Sequence, residues 1–173
     1  KIISLSQGAD SPLDSERDVF VVNLGGFDTH SDLIEDFSAN MRDLNGCVES
    51  FVKEIKRTPD LWDGVAITTL SDFGRTITSN GIGTDHGWGG NHILLGGSVS
   101  GGKIHGHYPD DLTEAGPQML SRGRLIPTTP WEGLWHGVAE WMGVDASKMT
   151  ELLPNMGNFV RETTLFTKEQ LFD

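Results

Sequence analysis

Three short polar clusters hold the residues of this sequence that could do chemistry. Each cluster places an aspartate close to a histidine or an arginine, and the pairs are Asp28 with His30, Asp72 with Arg75, and Asp85 with His86. Carboxylate oxygens and imidazole nitrogens both coordinate zinc, manganese and iron. A single such pair is more typical of a turn or a helix cap, but three of them in separate parts of one chain indicate a metal site or another polar active site.

Arg75 has two interpretations that the sequence leaves open. Its planar guanidinium would hold an anionic substrate oxygen, or it would form a structural ion pair with a nearby carboxylate. The remaining histidines are interpreted as packing or exposed residues rather than ligands: His92, His105, His107 and His136. Trp88 lies inside the glycine-rich loop of the third cluster, which makes it the tryptophan most suited to a site.

Apolar runs lie next to these clusters, as expected of strands that would position them. Runs at 19–24, 64–70 and 92–95 predict three short buried strands. The first two runs end just before the first two clusters, and ligands in open α/β sheets bind beyond the carboxyl ends of strands. We therefore expect the clusters to meet at one edge of a sheet.

Two longer segments have the periodicity of amphipathic helices. Between 31 and 57, apolar residues recur every three or four positions, with Ser31 as the predicted N-cap. Over 131–142, tryptophans at helical spacing predict a second helix that faces the core, with Thr129 as its N-cap and Pro130 in its first turn. A last helical turn is expected in the segment “TKEQLF”. The alternation of strands and helices is typical of an α/β layer built on a parallel sheet.

Composition limits the class of protein. The 173 residues suit one domain, and the net charge of −12 argues against a nucleic-acid groove or an anionic membrane surface as partner. No apolar run approaches the roughly 20 residues of a membrane-spanning helix. Cys47 is the single cysteine, which excludes an internal disulfide and, in mid-helix, predicts a small core residue. Because the sequence opens without a methionine or a signal peptide, we expect a processed or truncated piece of a longer chain.

Taken in order, the motifs carry a family resemblance. “GGFDTH”, “SDFGRT”, “GTDHGWGGNH” and a following “LGG” resemble the bacterial domain-of-unknown-function 1501 family over about residues 19–142. That family in turn resembles the alkaline phosphatase and sulfatase superfamily, in which phosphopentomutase has a comparable pair of Asp-His motifs. Members are often exported, so the resemblance suggests a periplasmic or extracellular location.

The resemblance implies a fold and a set of ligands. The fold would be a three-layer αβα domain with a mostly parallel sheet, of which residues 1–173 form a single, C-terminal portion. One divalent ion, such as zinc or manganese, would be held by Asp28, His30 and His86. A second ion would be held by Asp72, beside which Phe73 stands where the superfamily usually has a ligating histidine. In the superfamily, paired ions stabilise the attacking and the leaving oxygen of an ester.

Three functional hypotheses follow. The first is a metal-dependent hydrolase-like domain for small phosphate or sulfate esters, in which Arg75 steadies the anion. Its nucleophile would come from an N-terminal part or another subunit, because “SLSQGADSPLDSE” offers none after a strand. The alternative is a non-catalytic structural or interaction subunit that retains the fold and binds protein partners. A third hypothesis, a carbohydrate-binding surface, depends on Trp88 and the glycine-rich loops.

Overall fold

The computed structural model describes residues 17–173, which form a mixture of helices and short strands. The helices are α1 (Leu33–Ile55), α2 (Trp131–Trp141), α3 (Met149–Leu152), α4 (Arg161–Thr164) and α5 (Lys168–Leu171). The strands are β1 (Ala66–Thr68), β2 (Gly74–Ser79), β3 (Thr84–Gly87), β4 (Leu94–Gly96), β5 (Met119–Leu120) and β6 (Arg124–Leu125). Short 3₁₀ turns lie between them at Trp62–Gly64, Ser121–Gly123, Ala146–Lys148 and Met156–Asn158.

Each sheet among the described residues consists of two antiparallel strands. β1 pairs with β4, β2 pairs with β3, and β5 pairs with β6. A parallel pair needs a crossover connection, usually a helix, whereas the chain between β1 and β4 forms the β2–β3 hairpin and no helix. The expected mixture of helix and strand is therefore present, but the described residues do not form the mostly parallel sheet of a three-layer αβα fold.

Two of the three predicted strands are present in the structure and one is not. The runs at 64–70 and 92–95 contain or overlap β1 and β4, which pair with each other. The run at 19–24 was predicted to be a buried strand and is not one: it lies outside regular secondary structure, and Val22 is 87% exposed. A strand requires a neighbour for its backbone hydrogen bonds, and none of the described strands pairs with this run.

Helix α1 follows the predicted amphipathic segment closely. Its N-cap is Asp32, one residue after the predicted Ser31, and Asp32 has a left-handed conformation with φ of 50°. The apolar stripe is covered unevenly, because Ile55 is buried in the last turn while Ile34 in the first turn is exposed. The prediction that Cys47 is a core residue is wrong: its side chain is exposed, since it lies beside the apolar stripe rather than on it.

The C-terminal helices surround the main buried cluster. Its members are Ala139, Met149 and Leu153, with Trp135, Val144 and Met156 packed around them. Gly137 of α2 lies directly against α5, where an added Cβ would come within 2.7 Å of the Leu171 side chain. His136 is 1% exposed and its Nδ1 lies 2.9 Å from the carbonyl oxygen of Phe166, which agrees with the prediction of a packing histidine.

Both predicted C-terminal helical segments are present. The N-cap of α2 is Pro130 and not the predicted Thr129, because the helix begins one residue later, at Trp131. α5, within “TKEQLF”, begins with a capping box. The tryptophan face of α2 is only partly core, because Trp135 and Trp141 are half-buried whereas Trp131 is 40% exposed. Among the described residues no helix has the length and apolar character to cross a bilayer.

Candidate metal centre

The loop that follows residues 19–24 packs against the β2–β3 hairpin. The backbone N–H of Thr84 donates to the carbonyl oxygen of Thr29 over 3.2 Å, and both threonines are buried. Gly83 permits this approach, because a Cβ at that position would lie 2.4 Å from the carbonyl carbon of His30. The first and third polar clusters of the sequence are therefore joined through their backbones.

Asp28, His30 and His86 converge on this contact. The Nε2 atoms of His30 and His86 lie 2.9 Å and 2.8 Å from the same oxygen, Oδ1 of Asp28. Their potential ligand atoms all lie within 4.8 Å of one another, although Asp28 and His86 are 58 positions apart in sequence. The side chains are about half exposed, at 54%, 52% and 51% respectively, so the cluster is open to solvent.

Arg75 holds the carboxylate of this cluster. Its Nη1 lies 2.7 Å from Oδ1 of Asp28, its Nε donates to Oγ1 of Thr84 over 2.9 Å, and its Nη2 donates to the Thr84 carbonyl oxygen. The structural ion pair that the sequence left open is thus present. An arginine has five N–H groups, so the three hydrogen bonds leave two N–H groups uncommitted among the described residues.

The charges around the cluster favour ionised carboxylates. The hydrogen bond with His86 lowers the pKa of Asp28 below its ordinary value, and the Arg75 bond and the charges of His30 and His86 act in the same direction against desolvation. The pKa of Asp85 is also lowered, chiefly by a hydrogen bond from Asn80, with Arg122 and His30 contributing. Both carboxylates are therefore anionic at neutral pH and suited to bind a cation.

Two further side chains pack around the histidine rings. Phe73 stacks on His86 with ring centroids 4.2 Å apart and an interplanar angle of 3°. Asp85 places Oδ1 3.4 Å from Nδ1 of His30. The sequence analysis named both residues, Phe73 as one that cannot ligate and Asp85 as part of a polar cluster, but predicted no contact for either. These contacts depend on how the hairpin is positioned against the loop, which the sequence motifs do not specify.

Asp72, the fourth predicted ligand, lies in different surroundings. It lines a cavity of about 250 Å³ together with Leu70, Ser71, Trp131 and Trp135. It is not among the side chains whose ligand atoms converge within 4.8 Å. The structure therefore brings together three of the four predicted metal ligands, with Arg75 bonded to one of them.

The other singled-out residues do not belong to the three-residue cluster. His92 packs on Trp131 with ring centroids 4.6 Å apart, and His105 packs on Phe166 at 5.3 Å. His107 is exposed and lies 3.8 Å from Asp110. Trp88, the tryptophan considered for a site, is exposed. The predicted absence of a nucleophile concerns residues 4–16, which lie outside the described part of the chain.

Comparison with models of protein families gives a match to this chain. A family model described as “Protein of unknown function (DUF1501)” matches residues 13–128, about two thirds of the sequence. The chain belongs to the DUF1501 family. The DUF1501 match spans all three polar clusters and ends just before α2. It confirms the DUF1501 part of the resemblance, and the resemblance to the alkaline phosphatase and sulfatase superfamily stays a prediction. No curated protein and no solved structure matches the chain.

The donor set of this DUF1501 chain fits a divalent cation. One carboxylate oxygen and two imidazole nitrogens are the ligands of several catalytic zinc sites and of the two-histidine, one-carboxylate iron sites. Each imidazole directs Nε2 at the same anionic oxygen, Oδ1 of Asp28. Such an arrangement needs either a proton on each Nε2 or a cation shared among the three groups.

Proposed function

We propose that this DUF1501 chain is a metal-dependent hydrolase-like domain that acts on phosphate or sulfate esters. The observation that supports it is the convergence of Asp28, His30 and His86 within 4.8 Å from distant parts of the sequence. Exposed acidic residues are common on protein surfaces. Two imidazoles directed at one carboxylate oxygen, with an arginine beside them, form a more specific arrangement.

The three converging residues would hold one divalent ion, such as zinc or manganese. Such an ion supplies Lewis-acid stabilisation of the charge that develops on an ester oxygen during displacement. The family resemblance adds Asp72 as a ligand for a second ion. Since the cluster is about half exposed, an ester group would reach it without any rearrangement of the loop.

Arg75 would serve the reaction in two ways. Through Nη1 it fixes the carboxylate of Asp28, and its two uncommitted N–H groups would hold an anionic oxygen of the ester. This local positive charge matters because the chain carries a net charge of −12, which repels anionic substrates at longer range.

The proposal includes a larger architecture. Residues 1–173 would form the C-terminal portion of an exported three-layer αβα domain with a mostly parallel sheet, and a preceding part would supply the nucleophile. The exposed run at 19–24 supports this, because its apolar residues have the composition of a buried parallel strand. Hydrogen exchange in the full-length natural protein tests it: we expect slow exchange at 19–24, and exchange as fast as in surface loops would contradict it.

Metal content and ester hydrolysis test the function directly. We expect the purified full-length protein to contain at least one zinc or manganese ion per chain and to hydrolyse an aryl phosphate or an aryl sulfate. His86→Ala should lose both properties. His107→Ala is the matched control, because His107 is also exposed but lies outside the cluster, and it should keep both. A metal-free, inactive wild-type protein would reject the proposal.

A non-catalytic role in an assembly is the second candidate function. It is favoured by the hydrogen bonds that already satisfy Asp28 and by Phe73, which covers one face of His86 with an apolar ring. In that case the cluster is a structural network, and the exposed run at 19–24 contacts a partner subunit. Stoichiometric copurification with a partner, together with absence of bound metal and of hydrolysis, would identify this function.

A further inference from the structure

We infer that Asp85 is a positioning residue for His30, which it orients so that Nε2 faces the metal site. The inference rests on the proposed metal-dependent function. Oδ1 of Asp85 lies 3.4 Å from Nδ1 of His30, while Nε2 of the same ring lies 2.9 Å from Oδ1 of Asp28. The imidazole therefore has a carboxylate on each of its two nitrogens, one belonging to the cluster and one outside it.

Asp85 is itself held firmly. Arg122 places Nη2 2.5 Å from Oδ2 of Asp85, and Nδ2 of Asn80 lies 3.2 Å from Oδ1. The backbone N–H of Asp85 donates to Oγ1 of Thr76 over 3.0 Å. With its side chain only 26% exposed, the carboxylate has a defined position rather than that of a freely moving surface group.

The turn between β2 and β3 also fixes the backbone of His30. Nδ2 of Asn80 donates to the carbonyl oxygen of His30 over 3.1 Å, and Oδ1 of Asn80 accepts from the backbone N–H of Gly83 over 2.7 Å. The β2–β3 hairpin thus restrains both the main chain and the ring of His30. This double restraint is what a ligand needs if its ring is to keep one orientation.

The chemical consequence concerns the tautomer of the imidazole. A neutral histidine carries its proton on either Nδ1 or Nε2, and the hydrogen bond made by one nitrogen decides which is free to bind a metal. A carboxylate at Nδ1 retains the proton there and leaves the lone pair of Nε2 for the metal. Outer carboxylates of this kind typically contribute 10–100-fold in metal affinity. At 3.4 Å the contact is longer than a typical N–H···O bond, and an acceptor oxygen at this position favours the tautomer with the proton on Nδ1.

Zinc affinity of the full-length protein tests the inference, measured by competition with a chromophoric chelator. Asp85→Ala should weaken zinc binding by about 10–100-fold. Asp85→Asn keeps an oxygen that accepts from Nδ1 and should recover most of this loss. Arg122→Ala, which frees Asp85 without touching His30, should give an intermediate loss. Asp111→Ala is the control, since Asp111 bonds Thr113 in a separate loop, and it should bind zinc as the wild type does.

A spectroscopic measurement distinguishes positioning from a general structural effect. In ¹⁵N spectra of the zinc-loaded protein, His30 should carry a slowly exchanging proton on Nδ1, and this proton should exchange faster in Asp85→Asn. If Asp85→Ala does not fold, the Asp85→Asn spectrum still decides, because zinc should remain bound in that variant.

The experiment distinguishes failure of this inference from failure of the proposed function. Wild-type zinc affinity in Asp85→Ala would overturn the inference and leave the metal site intact. Equal losses in Asp85→Ala and Asp85→Asn would overturn it, because the loss would then follow the charge of Asp85 and not an acceptor oxygen at Nδ1. Absence of zinc binding in the wild type would overturn the proposed function together with this inference.

Discussion

At the scale of single residues, Oδ1 of Asp28 is the atom that three side chains contact. Nitrogens of Arg75, His30 and His86 lie between 2.7 and 2.9 Å from it. Bonds between an ionised acceptor and such donors are about twice as strong as neutral ones. This oxygen therefore links the loop to both strands of the β2–β3 hairpin, whether or not a metal is present.

Acidic pH should reduce the contribution of Asp28 to the free energy of unfolding. Its pKa is lowered in the folded state, chiefly by His86, so its stabilisation is present above the unfolded-state pKa and is lost as pH falls through the lower folded-state pKa. Asp28→Asn lacks this contribution, and its free energy of unfolding should fall less than that of the wild type between pH 5 and pH 3. Urea unfolding with a chelator present measures this, and parallel pH profiles would contradict it.

Replacement of Arg75 by lysine should also be costly. A lysine ammonium cannot reproduce the planar fork that joins Asp28 to two oxygens of Thr84. We expect Arg75→Lys to lower the free energy of unfolding by roughly 1–3 kcal/mol, the usual cost of leaving partly buried hydrogen-bonding groups unpaired. Arg124→Lys is a suitable comparison, because within residues 17–173 the Arg124 side chain donates to the carbonyl oxygen of Ser121 and to no carboxylate. Equal stability losses in the two variants would contradict the prediction.

At the scale of elements, the β2–β3 hairpin is the part that organises the site. Arg75 stands opposite His86 in the ladder, and the register then shifts between Arg75 and Ser79. Beyond the shift, the turn carries Asn80 and Gly83 towards His30. A hairpin with an irregularity of this kind presents side chains from both strands to the same loop.

Gly83→Ala and Gly46→Ala should have opposite effects. A Cβ at Gly83 would clash with the backbone of His30 at 2.4 Å, whereas Gly46 in α1 has nothing within 4 Å of its added Cβ. We expect Gly83→Ala to destabilise the protein by roughly 1–3 kcal/mol, as overpacking does. Gly46→Ala should stabilise it by up to about 1 kcal/mol through better helix propensity. Thermal unfolding of both variants tests this pair, and a shift of the same sign in both would refute it.

The elements also show where sequence reasoning succeeds and where it fails. Helices α1 and α2 are predictable because their apolar periodicity is local. The pairing of β1 with β4 is not, since it depends on the intervening chain folding into its own hairpin. At the site, residue type and spacing identify the polar clusters, and the family resemblance selects Asp28, His30 and His86 from them. The contact of Asp85 with His30 and that of Arg122 with Asp85 depend on strand register, which no short motif encodes.

At the scale of the whole molecule, two surface properties oppose each other. The net charge of −12 favours solubility, while the run at 19–24 exposes several apolar side chains in succession. Contiguous exposed apolar surface of this kind promotes association. The run also has high β-propensity and carries no charged residue between Val19 and Leu24, which is typical of segments that aggregate.

A charge in this run should reduce self-association of the 173-residue chain. We expect Val22→Lys to lower the weight-average mass at high protein concentration, because it interrupts the apolar surface. Asn23→Lys is the matched control: it adds the same charge at the next exposed position and removes no apolar group. Sedimentation velocity over a range of concentrations measures the effect, and an equal reduction in both variants would attribute it to charge alone.

The close approach of Gly83 to the backbone of His30 has a consequence for how related sequences can diverge. The exposed side chains of the cluster can be exchanged one at a time without a backbone clash, but a bulkier residue at position 83 would push apart the two segments on which any site here is built. Lineages that abandon chemistry would thus be free to replace His86 long before they could replace this glycine. In an alignment of related sequences, Gly83 would therefore be retained wherever the fold is retained, and His86 only where the proposed activity is retained.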